Sequence, residues 1–427
     1  MILFIASVCL LFFLIIGLPV ALSLLLAAGI GLLFIGGVDL LVGLLSTGPP
    51  SALSTYELLT IPMFLLMAEF MGVSGISNTL FAAISAWTGR MKGGLGIATA
   101  ITGAAFGAIS GSSAAAAATL STSSVPSMLK AGYERKFTTG VVSISGTLAM
   151  LIPPSIAIIF YGLLSGEDVG KLLIAGIIPG VVVSITIILT IWYLIWRDPS
   201  VAPTGSSSTW REKLFSLKVA GPFFMLFMLV TGLIYLGIAT PVESSAMGAF
   251  GAFVLTLLSG KMDRRSFYRA IRNTCVTSAM IGLVIVCAHL FGTFLTMTQA
   301  TQNLIGLVSN IGWSPWVILI IILLVYLVLG CFLDQLSILI LTIPVVLPVI
   351  KSLGFDPIWF GIIVILLAEI GVVTPPVGLN VFVVSRVTNT PVEEVFRGVY
   401  PHVIAHILAV ILMVAFPAII TWLPSQM

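Results

Sequence analysis

Four short clusters in an otherwise apolar chain carry the groups able to hold ions. They are Ser110-Gly111-Ser112-Ser113, Pro153-Pro154-Ser155, Asp334-Gln335 with Ser337, and the run TPPVGLN from Thr374 through Pro375, Pro376 and Gly378 to Asn380. The first cluster sits near the middle of IATAITGAAFGAISGSSAAAAATLSTSSVPSMLKAG, residues 97–132. Each arm of that run is shorter than the roughly 20 residues a helix needs to cross a bilayer, so the spacing predicts a re-entrant helical hairpin. A second half-helix beginning near Ser113 would turn unpaired N–H groups and a positive dipole end toward an anion, and the first would offer carbonyls to a cation. The same small residues also suit a packing face, because Gly, Ala and Ser let membrane helices approach closely. Each Pro-Pro pair breaks a helix and frees carbonyls that suit Na+. Asp334 and Glu369 are carboxylates within apolar runs, each costing about 2.5–3.5 kcal/mol at mid-helix, and a cation is the obvious partner. For Glu69 and Glu369 the alternative is a place near a helix end or a hydrogen bond across helices, and for Glu69 that alternative weighs evenly with the ion-site reading. The candidate substrate set is therefore Ser110, Gly111, Ser112, Ser113, Ser155, Gly378 and Asn380. The candidate Na+ set is Ser113, Pro153, Pro154, Asp334, Gln335, Thr374, Pro375 and Pro376.

Other chemistries find little support. An intramembrane hydrolase using the Ser cluster would need a His or Lys beside Ser110–Ser113 to activate the nucleophile, and the sequence has none there. There is no GxxxxGK[ST], HExxH or GxSxG motif. His289, His402 and His406 are scattered; the i, i+4 pair has no acidic neighbour in sequence, which points to packing or an interface. Cys9, Cys275, Cys287 and Cys331 lie in or beside apolar segments without CxxC spacing and read as small packing residues.

The elements that must position these clusters follow from composition and breaker spacing. With 59% hydrophobic and 8% charged residues and a mean hydropathy of +1.22, the chain is an all-α polytopic membrane protein. No basic region precedes the first apolar run, so residues 1–16 read as a helix and not as a cleaved signal. Sliding the chain by 222 residues superposes Pro19 on Pro241, Pro126 on Pro348, Pro153-Pro154 on Pro375-Pro376, and Pro179 on Pro401. Five proline matches at one spacing, among 22 prolines, mark an internal duplication. The expected first repeat is 1–196. It contains helices at 2–16 and 19–34, a short surface stretch, a helix at 58–71, an amphipathic segment at 78–91, the hairpin at 97–132, a helix broken at 152–155, and a long apolar run at 172–196. A polar linker, 197–218, reads as a flexible cytoplasmic connector. The second repeat, 219–427, places helices at 223–237 and 241–258, a basic surface stretch KMDRRSFYRAIRN, a helix at 278–294, an amphipathic segment at 302–312, a hairpin at 315–354, a break at 374–380 and a last helix at 402–422.

Each half then crosses five times, and an odd count makes the two repeats inverted, the plan of secondary transporters. Sixteen of the 18 Lys and Arg residues fall on one side on this topology, and only Lys171 and Lys351 on the other. The positive-inside rule makes the crowded side cytoplasmic and leaves both termini outside. Inversion would bring the two hairpin tips together against the two breaks. No Lys or Arg is expected in that core. A carboxylate or sulfonate would then be held by N–H groups, hydroxyls, Asn380 and co-bound Na+; a neutral substrate is equally compatible.

At these residues the chain resembles a known family. SGSSAAAAA after GAAFGAI, then IPPSI, TPVESSAMGA, FLDQLSILILTIPVVLPV and EIGVVTPPVGLNVFV resemble the large membrane (permease, DctM-like) subunit of TRAP, tripartite ATP-independent periplasmic, transporters, over nearly the whole chain. The resemblance implies Na+-driven uptake of an organic acid by an elevator mechanism in a bacterial inner membrane. It also implies a periplasmic substrate-binding protein and a small membrane subunit as partners, with the bilayer as surroundings and no nucleic acid. By the same resemblance, the tips and Pro-Pro loops would form a moving domain, and 78–91 and 302–312 would be arms joining it to the scaffold. One departure is that the first break carries Ser155 where the second carries Val377-Gly378-Leu379-Asn380, so the two sites need not bind alike. A stand-alone Na+- or H+-coupled dicarboxylate carrier on the same plan is the alternative reading. A channel would not need two such hairpins.

Overall fold

Helices in this chain start and stop at the Gly, Pro and short polar residues that punctuate its apolar runs. The computed structural model describes residues 2–204 and 208–427. The first half begins with α1 (Ile2–Ile15), α2 (Val20–Leu53), α3 (Thr60–Ser74) and α4 (Ile76–Thr88). The first hairpin follows as α5 (Gly94–Ser110), α6 (Ser113–Ser123) and α7 (Val125–Lys130). Then come α8 (Arg135–Thr147), α9 (Ile156–Ser165), α10 (Val169–Ala175) and α11 (Ile177–Arg197). The second half runs through α12 (Trp210–Tyr235), α13 (Pro241–Leu258), α14 (Arg264–Met297) and α15 (Ala300–Ile311). Its hairpin is α16 (Pro315–Gly330) and α17 (Gln335–Ser352), followed by α18 (Pro357–Gly371), α19 (Leu379–Thr388), α20 (Val392–Ala415) and the short α21 (Ala418–Thr421).

The 222-residue spacing survives in the element bounds. α6 and α17 begin at 113 and 335, α8 and α18 at 135 and 357, and the cis peptide bonds Pro153–Pro154 and Pro375–Pro376 keep the same offset. Among the described residues, eight helical stretches are long and apolar enough to cross a membrane, α17 of the second hairpin among them. α1 and the two broken helices fall short of that length.

Three expected segments come out differently. The surface stretch after the second helix is helical: α2 continues to Leu53 across a kink where Gly37 has φ 69°, a conformation that costs glycine little. The basic stretch is no surface loop either. After Gly260 ends α13 at φ 69°, the Asp263 side chain accepts the Ser266 N–H at 2.8 Å and caps α14, which absorbs the basic residues into 34 continuous helical positions. Finally, the linker is largely ordered. Thr209 and Glu212 form a capping box that starts α12 at Trp210, and Glu134 N–H donates to the Val201 carbonyl at 2.9 Å. Asp198 caps the Pro199–Val201 turn; the Ser200 hydroxyl and N–H hold its carboxyl below the usual carboxylate range. Residues 205–207 of that linker lie outside the described residues.

At the centre, α8 and α18 are buried along nearly their whole length. Close crossings of small residues allow this. A Cβ at Gly140 of α8 would run into the Gly398 carbonyl of α20, and one at Gly371 into the Gly330 carbonyl of α16. By contrast, α1 and α12 keep large apolar side chains such as Phe4, Ile15, Phe215 and Met225 exposed, as lipid-facing surfaces do.

Candidate ion and anion site

Both hairpins turn at a capped helix start. α5 ends at Gly111, whose φ of 57° reverses the chain, and Ser112 then accepts the Ala115 N–H at 3.5 Å to open α6. In the second hairpin Asp334 plays that part, accepting the Ser337 N–H at 3.3 Å and the Ser337 hydroxyl. Asp334 is therefore an exposed cap at a helix N-terminus, where its charge is favoured. The mid-helix cost expected for it does not apply.

The two tips share one cavity of about 670 Å3. Ser110, Gly111, Ser112 and Ser113 line it from α5 and α6, and Asp334 and Gln335 from the start of α17. Two helix N-termini thus open on one space. Ser113 and Gln335 are buried there, and the Gln335 Nε2 has no protein partner. Val372 and Leu379, at either end of the second break, also reach the wall.

The remaining candidates are not on that wall. Ser155 is fully buried, donates to the Met150 carbonyl and accepts the Ile158 N–H at 3.4 Å as the cap of α9, so its hydroxyl is committed to backbone. Pro153 and Pro154 are buried, whereas Thr374 and Pro375 are half-buried and Pro376 is exposed. The Thr374 hydroxyl donates to the Ile370 carbonyl at 2.5 Å. Gly378 holds φ 59° against the Phe396 ring. Behind it Asn380 is fully buried, donates its backbone N–H to the Val372 carbonyl at 3.0 Å, and has both side-chain amide atoms unpartnered.

One wall residue was not expected. Arg269 of α14, itself exposed, also lines the cavity, as does Glu69 of α3, so a fixed positive charge borders the space at the tips. Glu69 accepts from Asn273 Nδ2 at 3.2 Å, a hydrogen bond across helices. The stretch KMDRRSFYRAIRN is largely exposed, as expected, but from Arg264 it is one helix with the apolar run after it, which carries Arg269 to the cavity. The signal was present: helical spacing through Arg265, Arg269 and Arg272 runs directly into the apolar stretch that follows. Glu369 lies away from that wall, beside His406, with Nε2 at 3.7 Å from Oε2 and both residues fully buried.

Residues 7–419 match the family model described as the tripartite ATP-independent periplasmic transporter, DctM component. The chain belongs to that family. The C4-dicarboxylate TRAP transporter large permease protein DctM of Pseudomonas aeruginosa is 34% identical over 371 residues, covering 87% of this chain and 86% of the relative. An isethionate TRAP transporter permease protein, DctMQ of Oleidesulfovibrio alaskensis, is 31% identical over 413 residues, covering 95% of this chain and 64% of the relative. Among solved structures, the Alcanivorax borkumensis YdaH transporter shares the fold at a TM-score of 0.62 and 13% identity, over 90% of this chain and 91% of that one. A TRAP large permease is a multi-pass membrane transporter subunit and not an enzyme.

Proposed function

We propose that this TRAP permease carries an organic anion, a carboxylate or sulfonate, across the bacterial inner membrane together with Na+. The observation that carries the reading is the shared cavity, where two hairpin tips of unequal charge meet Arg269. At the first tip the cap is the neutral Ser112, which takes the Ala115 N–H, so the dipole of α6 and the N–H groups of Ser113 and Ala114 stay available to an anion. At the second tip Asp334 offsets the dipole of α17 and offers its oxygens to a cation. Arg269 supplies the counter-charge for a planar carboxylate or a sulfonate. The unpartnered amide of Asn380 and the carbonyls around Thr374, Pro375 and Pro376 suit Na+ behind the second tip, and Pro153 and Pro154 are the corresponding candidates behind the first.

Transport on this reading is an elevator stroke. The hairpins and broken helices move as a body against α1–α3 and α12–α14, with α4 and α15 as arms, in two inverted repeats whose termini lie in the periplasm. A small membrane subunit braces the scaffold, and a periplasmic binding protein delivers the substrate. The outer loops support this dependence, because they are too short to form a capture domain of their own. The test is uptake into proteoliposomes under a Na+ gradient. The chain alone is expected to take up little free acid at micromolar concentration, and the small subunit with loaded binding protein is expected to restore uptake. Robust transport by the single chain would favour the stand-alone carrier, and undiminished uptake without Na+ would remove the coupling.

A further inference from the structure

The most costly polar groups in the interior are not in the cavity. Glu369 of α18 and His402 and His406 of α20 are all fully buried, and none of their side-chain N or O atoms has a hydrogen-bond partner. Glu369 and His406 approach to 3.7 Å. The other half of the chain carries no such groups at the matching positions. At the 222-residue offset their counterparts are Thr147, Gly180 and Ser184. The Thr147 hydroxyl bonds the Ile144 carbonyl at 2.9 Å and the Ser184 hydroxyl the Gly180 carbonyl at 2.8 Å, so the first half fills the same places with small, satisfied residues. An unpaired buried charge is far more expensive than such a hydroxyl.

Among the described residues, no other charged group forms an ion pair with the trio. Among the described residues the ion pairs within 4.0 Å are His406–Glu369 and Lys351–Glu167. On the elements packed against α18, Tyr326 of α16 turns its ring edge-on to Phe360, Tyr161 of α9 donates to the Pro357 carbonyl at the far end, Lys351 of α17 is taken by Glu167, and Lys171 of α10 is exposed. Around α20, Arg135 and Lys136 of α8, Tyr193 and Arg197 of α11 and Arg386 of α19 join Glu393, Glu394, Arg397 and Tyr400 of α20 itself, all outside the trio. A surface cavity of about 340 Å3, lined by Lys136, Arg197 and Arg397 with Glu134 and Asp198, reaches Pro401, the residue before His402.

We propose that Glu369, His406 and His402 form a buried proton-binding site, in which the Glu369–His406 pair holds one exchangeable proton reached from that charged cavity through His402. A pair in a low-dielectric interior is cheapest when neutral overall, which means one proton between a carboxylate and an imidazole. The proton comes from water and returns to it, and no other bond changes. Its loss leaves a negative charge one helical turn before Val372, whose carbonyl holds the Asn380 N–H across the second break.

The test is infrared difference spectroscopy of the purified full chain during a pH titration, a readout that needs neither transport nor partners. The wild type is expected to show the carbonyl stretch of a protonated carboxylic acid that disappears as pH rises and is absent in Glu369→Gln. In His406→Gln, which leaves the carboxyl in place, the midpoint should move upward by about one pH unit or more, because the ionised carboxylate has lost its partner. His402→Gln should slow the exchange of that band in deuterated buffer. An acid band that never titrates would make the proton a fixed structural one and overturn the proposal. So would the lack of any difference between wild type and Glu369→Gln, or an unmoved midpoint in His406→Gln.

Discussion

Ser112 and Asp334 occupy the same place in the two hairpins, 222 residues apart, each accepting the backbone N–H three positions ahead. One cap is neutral and the other is a carboxylate, so two similar folds present opposite electrostatic faces to one cavity.

That difference separates capping from charge. Asp334→Ser keeps a good cap and Asp334→Ala loses it, at about 1 kcal/mol of stability. Both variants are expected to lose most of the Na+ dependence of uptake, with protein level changed only in the second. Na+ titrations of reconstituted transport check this; a serine variant with wild-type Na+ dependence would leave Asp334 a cap and nothing more.

Arg269 should matter for anions specifically. Arg269→Gln is expected to raise the KM for the transported anion by about tenfold, the loss of one charge-assisted contact worth about 1.4 kcal/mol. Arg269→Lys should recover part of it as a point charge. Equal loss in the lysine and glutamine variants with unchanged KM would place Arg269 outside the substrate path.

Packing predicts which glycines tolerate change. Gly140→Ala and Gly371→Ala push a methyl into facing backbone and should cost about 1–3 kcal/mol or more, read as a fall in thermal stability in detergent. Gly221 and Gly292 lie in helices and have open space where an alanine methyl would sit, so alanine there should be neutral or stabilising.

Sidedness is open to direct labelling. A cysteine at Thr204 is expected to react with an impermeant reagent only from the cytoplasm, and one at Lys171 only from outside. Both positions are exposed. Reaction of both from one face would break the inverted topology.

The hairpin turns, the Pro-Pro breaks and the 222-residue spacing were legible because their causes are local. A Gly at positive φ, a Pro without an N–H and a polar cap each act within a few residues of themselves, and Gly111, Ser112, Pro153-Pro154 and Asp334 all sit where those rules put them. Helix continuity was less legible. The basic run at 264–272 and the stretch at 38–53 could end either neighbouring helix, and tertiary packing joined each to one of them. Only the folded chain decided which polar groups meet. Glu69 and Asn273 are 204 residues apart, and Glu369 and His406 are brought together from different helices. Nothing periodic in the sequence encodes such a pairing. It depends on which face of α14 turns toward the hairpin tips and on how close the small residues let α18 and its neighbours approach.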